Sequence, residues 1–180
     1  MDLATHERNL LNLIRHNRLV DEDDPYLQRV ARSAYLQEAR RNVFLWRIYV
    51  LERTCPLTFA LLRNRGLLAD AVRGFIAQHN ISPFRETQAP AFLASLAEHR
   101  DGLVALVARF ERALLLVRQG DPDVHEFDWP VEPLSVLHRL ARREPVGDVA
   151  EGAYRIVVSG ELPNGFQIRE PTEPRHPRRQ

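Results

Sequence analysis

Tyr154-Arg155-Ile156-Val157-Val158 and Phe166-Gln167-Ile168, joined by a turn that holds Gly160, Pro163, Asn164 and Gly165, decide how this chain is read. Short β-branched and aromatic runs around such a turn predict a β-hairpin. Two short strands cannot close a sheet, so one row of backbone N–H and C=O groups must meet water, a covering element or a guest strand. A peptide laid along that edge gains main-chain hydrogen bonds, and alternate side-chain pockets select it. Alternation places Tyr154, Ile156 and Val158 on one face and Arg155 and Val157 on the other. With Phe166 and Ile168, these are the candidate peptide-binding residues. The competing reading is a hairpin that merely caps the rest of the chain.

Working back towards the N-terminus, the grammar becomes helical. Thr5 is an expected N-cap, with Leu10, Leu13 and Ile14 on one face and an end near Asn17. In Asp21-Glu22-Asp23-Asp24-Pro25 the last aspartate suits a cap before a proline at the first helical position. Ser33 to Thr54 predicts a long helix, apolar over more than one face, and therefore the expected central and most buried one. Pro56 ends it and opens the next helix, which carries Leu57, Phe59, Leu61 and Leu62 and stops at Gly66. Leu67 to His79 is amphipathic, Asn80 to Pro90 reads as a loop, and Phe92 to Leu114 as a further helix stopped by Gly120 and Pro122. Val124 to Val131 reads as extended, and Pro133 opens a short helix with Leu134, Leu137 and Leu140 on its apolar face. The expected fold is α+β, a bundle of five or six helices followed by a small antiparallel C-terminal sheet. Its expected organisation is a helical bundle over 1–122, a small α/β peptide-recognition region over 123–170 and a disordered tail over 171–180.

Composition excludes more than it selects. A chain of 180 residues, 44% apolar and 27% charged, is long enough to bury a core without disulfides or metals. A net charge of +1 argues against a surface built for nucleic acid. All 25 basic residues are arginine, which removes Schiff-base lysine chemistry and the P-loop lysine. The single cysteine, Cys55, excludes an internal disulfide and multi-cysteine metal motifs. Neither a secretory signal nor a run of transmembrane length is present, so no membrane partner and a cytoplasmic location are expected.

Chemistry-bearing residues are scattered. His6, His16, His79, His99, His125, His138 and His176 show no pair at metal-ligating helical spacing. Cys55, near Arg47 and Arg53, has the elements of an activated thiolate, but Leu51, Leu57 and Phe59 around it favour a packed thiol. No Walker loop, dinucleotide fingerprint or nucleophile elbow occurs. The pairs Arg40-Arg41, Arg142-Arg143 and Arg178-Arg179 lack the interleaved aromatics of a single-strand nucleic-acid groove. No catalytic residue and no cofactor are therefore assigned to this chain.

Arg40-Arg41-Asn42-Val43-Phe44-Leu45-Trp46-Arg47, with Thr54-Cys55-Pro56, resembles an Arg-x-Asn-Val helix running into a Thr-Cys-Pro junction in a family of bacterial proteins. Asp128-Trp129-Pro130-Val131 and Gly165-Phe166-Gln167-Ile168 are similar to that family's Asp-Trp-Pro-Val segment and Gly-Phe-Glu-Ile ending. The family contains members labelled as DNA-binding domains and accessory subunits of multinuclear non-haem iron oxidative enzymes, including those of methanobactin and thiaglutamate biosynthesis. The resemblance implies a non-catalytic subunit whose helical body docks on a TIM-barrel iron enzyme and whose small sheet takes the leader of a ribosomally made precursor peptide. Iron would then belong to the partner, which modifies a peptide cysteine. Two alternatives stand beside this expectation: a DNA-binding or regulatory module, and a small enzyme using Cys55 or a spatial histidine cluster.

Overall fold

Each helix start is set by a local cap where one exists. The computed structural model describes residues 2–16, 24–79 and 84–170. Helix α1 spans Leu3–His16 and is capped by Asp2, whose Oδ1 accepts from the Thr5 amide at 2.7 Å. Thr5, the expected cap, instead lies in the first turn, because the carboxylate three residues earlier reaches its N–H. Asp24 caps α2, Pro25–Ala31, by accepting from the Tyr26 and Leu27 amides at 2.8 and 3.2 Å. Asp21 to Asp23, the expected end of α1 at Asn17 and the tail 171–180 lie outside the described residues.

Ser33 Oγ accepts from the Tyr35 amide at the start of α3, Ala34–Thr54, and Cys55 passes the chain directly into α4, Pro56–Asn64. Helix α5, Leu68–Gln78, leads through residues outside the description to α6, Arg85–Ser95. Part of the expected 80–90 loop is therefore helix, with Pro90 inside it. A proline there leaves the carbonyl four residues back without its helical donor, and Gln119 Nε2 donates to that Glu86 oxygen at 3.5 Å. The expected continuous Phe92–Leu114 helix is divided. Asp101 caps a separate α7, Gly102–Arg118, through the Leu103 and Val104 amides.

The expectation that α3 is the most buried helix is not met. Leu36, Arg47 and Leu51 are its buried residues, whereas Tyr35, Val43, Leu45, Trp46 and Tyr49 are exposed. The bundle centres on α7, which buries Val104, Ala105, Val107, Ala108, Phe110, Glu111 and Ala113 against α4 and α6 on one side and the sheet on the other. Apolar content spread around a helix says that it can be buried, but neighbours on all sides are needed to bury it.

The sheet has three strands, one more than the hairpin alone: β1, His125–Val131; β2, Glu151–Val158; and β3, Phe166–Arg169, in antiparallel order β1-β2-β3. Between β1 and β2 lies α8, Pro133–Ala141, capped by Glu132 and packed on α4. Leu137 and Leu140 of its expected apolar face are buried with Val136, while Leu134 is exposed. Gly165, at φ 75°, turns β2 into β3 and accepts from the Ser159 amide at 3.0 Å. The inner face of the sheet closes on Phe110, whose ring meets Trp129 and Phe166 edge to face at 6.0 and 5.2 Å between centroids. One buried cluster therefore runs from Leu51 in the helices to Ile156 and Val158 in the sheet, across the expected boundary at 122. The fold is α+β, with the helices mostly N-terminal and the small antiparallel sheet near the C-terminus.

Candidate functional site

The candidate strand is flanked on both sides over most of the residues expected to read a peptide. Arg155, Ile156, Val157 and Val158 pair with Arg169, Ile168, Gln167 and Phe166 of β3, and with Asp128, Phe127, Glu126 and His125 of β1. The expected open edge at Ile156 and Val157 is thus already occupied, because β1 supplies the pairing that two strands lacked. Ile156 and Val158 are fully buried, Val157 is buried on the other face, and Phe166 and Ile168 are half-buried. Side-chain alternation holds: Tyr154 stands opposite Trp129 and Ile156 opposite Phe127 on the inner face, while Arg155 stands opposite Asp128 on the outer one. Arg155 Nη2 lies 3.0 Å from Asp128 Oδ1, and its Nη1 lies 3.6 Å from Glu126 Oε2.

Among the described residues the outer edges of β1 and β3 have no strand neighbour, and β2 lacks its second neighbour at its start. β3 reaches Arg169 opposite Arg155 and, among the described residues, supplies no partner to Glu151, Gly152, Ala153 or Tyr154; on the β1 side Tyr154 pairs with Trp129 and Glu151 with Val131. Four residues of strand span about 13 Å, enough for a short guest segment. The register slips here between Trp129 and Val131, so Gly152 and Ala153 together oppose Pro130. A proline has no N–H for a ladder, and a bulge is where a sheet tolerates one. Gly152 also makes room for the Tyr154 ring: a Cβ on Gly152 would lie 3.0 Å from Tyr154 Cζ.

A groove of about 820 Å³ lies along this segment, lined by Leu106, Trp129, Pro130, Gly152, Tyr154 and Arg169. A second hollow of about 390 Å³ shares Leu106 and Pro130 with it and extends past Val146 to Val149 towards Arg65. Trp129 is 1% exposed, and its indole N–H has no acceptor among the described residues. An unsatisfied buried donor costs about 1–3 kcal/mol, so an acceptor brought to it would be favoured.

The interior holds another polar group. Cys55 offers α4 no side-chain cap; Glu111 of α7 does so from a distance, accepting from the Leu57 and Thr58 amides at 2.8 and 2.9 Å. Burial pushes the Glu111 carboxyl up to about 7, against the pull of the Thr58 and Leu57 hydrogens and of Arg118. Burial, and then the charge of Glu111, push the Cys55 thiol well above its ordinary range. Neither arginine expected beside Cys55 serves a thiolate. Arg47 Nε donates to Gln88 Oε1 while Gln88 Nε2 donates back to the Arg47 carbonyl, and the Arg53 guanidinium lies 5.7 Å from the Tyr49 ring centroid. Cys55 is a packed thiol.

Among the described residues no group of three or more His, Cys, Asp or Glu side chains is placed to hold a metal ion, and no helix is long and apolar enough to cross a membrane. Comparison with protein-family models, curated proteins and solved structures gives no match to this chain. Sequence reasoning identified the strands but missed the groove and Glu111. The alternation of Phe127 and Trp129 against Asp128 was the available signal for β1 as a sheet partner. Nothing local marks Glu111, since its partners lie more than fifty residues away in the chain.

Proposed function

We propose that this chain is a non-catalytic, cytoplasmic accessory subunit. It binds a multinuclear non-haem iron oxidative enzyme and presents to it the leader of a ribosomally made precursor peptide for cysteine modification. The observation that carries the reading is the half-paired start of β2 beside the groove. Among the described residues Glu151 and Tyr154 have a strand neighbour on one side alone, with about 820 Å³ of space nearby. A leader laid there extends the sheet where β3 stops, and its side chains meet Tyr154 and Arg155. One segment that carries the family resemblance supports the same place: Asp128-Trp129-Pro130-Val131 flanks β2 from Arg155 back to Glu151, whereas Phe166-Gln167-Ile168 pairs with Val158 to Ile156 further along the strand. Iron and its ligands belong to the partner enzyme in this reading.

Hydrogen exchange of the full chain, with and without a saturating synthetic leader encoded beside its gene, tests the site. The expected result is new protection at Glu151–Tyr154, with no change in the already paired Ile156–Val158. A peptide that binds but protects another surface removes this location. Failure to bind any such peptide, together with failure to form a complex with an iron enzyme, removes the function.

A further inference from the structure

The side of α3 turned away from the bundle carries an uncovered aromatic row. Tyr35 is 84% exposed, Leu45 49%, Trp46 57% and Tyr49 50%. They lie away from the face marked by buried Leu36, Arg47 and Leu51, and exposed apolar clusters mark interaction surfaces. Trp46 and Tyr49 stand 5.7 Å apart between ring centroids. Tryptophan, tyrosine and arginine are the residues that concentrate binding energy at interfaces.

The placement of charges along this row names its occupant. Glu38, Asn42 and Leu45 precede the midpoint between Leu45 and Trp46 by the same steps at which Trp46, Tyr49 and Arg53 follow it. We propose that this face is a self-association surface on which α3 of a second copy packs antiparallel, about a two-fold axis passing between Leu45 and Trp46. Under that symmetry Glu38 of each copy meets Arg53 of the other, Asn42 meets Tyr49, and Leu45 meets Trp46. Each contact occurs twice, as an isologous interface requires. A parallel arrangement would instead set Glu38 on Glu38 and Arg53 on Arg53. Neither residue forms an ion pair within the chain among the described residues, and the Arg53 guanidinium rests 5.7 Å from the Tyr49 ring centroid, on the proposed seam. The spacing of 38, 42, 45 and 49 is the four-three step of a helix–helix seam, and an asparagine in such a seam fixes register. From Glu38 to Arg53 the seam runs about 22 Å along the helix, a small interface that gives a concentration-dependent dimer rather than an obligate one.

Sedimentation equilibrium of the full chain over a concentration series, in the absence of any enzyme partner, reads the association directly. The expected mass rises from 20.8 kDa towards twice that value. Glu38→Arg and Arg53→Glu should each weaken association by about tenfold or more, because like charges then face each other at both ends. The double substitution E38R/R53E should restore it, and Trp46→Ser should abolish it. All three positions are exposed, so circular dichroism should show the same fold in every variant. A wild-type chain that stays at monomer mass throughout overturns the proposal. So does a double variant no better than its single parents. If the chain is monomeric and these substitutions instead abolish capture of an iron enzyme, the face belongs to that partner and the proposal is equally overturned.

Discussion

Helices α3 and α7 are both long and both carry apolar residues at helical spacing, yet they do opposite work. Helix α7 lies between the other helices and the sheet, and its buried side chains reach both: Phe110 meets Trp129 and Phe166 edge to face, and Glu111 caps α4. Helix α3 anchors itself through Leu36, Arg47 and Leu51 and turns Tyr35, Trp46 and Tyr49 outward. The difference is partly written in the helices: α7 carries charge only at Arg109, Glu111, Arg112 and Arg118, whereas Glu38, Arg40, Arg41, Arg47, Glu52 and Arg53 are spread through α3. The rest is the number of neighbours, which a helix does not encode.

The largest effect is expected at α7. Phe110→Ala removes a ring that is 1% exposed and touches two strands, and should cost about 3–5 kcal/mol, measured by urea unfolding. If the loss is under 1 kcal/mol, α7 is not the spine.

Glu111 sharpens the same contrast through pH. Its folded-state carboxyl is raised from an ordinary value of 4.5 to about 7, so between these values the folded chain binds more protons than the unfolded one. Stability from this group is fully present below about pH 4.5 and is lost as pH rises through about 7. The expected loss is of order 3 kcal/mol. Urea unfolding across this range should show the fall, and Glu111→Gln should flatten it. An unchanged slope in that variant would mean that another group sets the pH dependence.

On α3 the smallest effect is expected. Trp46→Ser, measured at concentrations where the chain is monomeric, should shift unfolding by no more than about 0.5 kcal/mol. A larger loss would show that the outer row supports the bundle after all.

The division between legible and illegible parts follows the range of the interactions. Asp24 before Pro25, Ser33 before α3, the Cys55-Pro56 break and Gly66 are local signals, and the elements follow them. Pro90 misled because a distant side chain, Gln119, meets the carbonyl that the proline leaves without its helical donor. The small sheet is legible, and alternation marks β1 as extended, but that β1 pairs with β2 across the intervening α8 has no short-range trace. The candidate site moved for that reason. Tyr154 to Val158 were recognised as strand, whereas vacancy depends on β3 being four residues to the eight of β2.

Phe166 bears on the order in which the molecule can be made. Synthesis releases α1 to α7 before the strand that supplies this ring, so a nascent chain stopped in the β2–β3 turn has Phe110 without one of its two aromatic neighbours. Contacts that span so much sequence form late, and uncovered apolar surface invites association in the interval. A ribosome pausing near Gly165 would therefore hold a helical body with an unfinished core. Release of the last few described residues would complete that core.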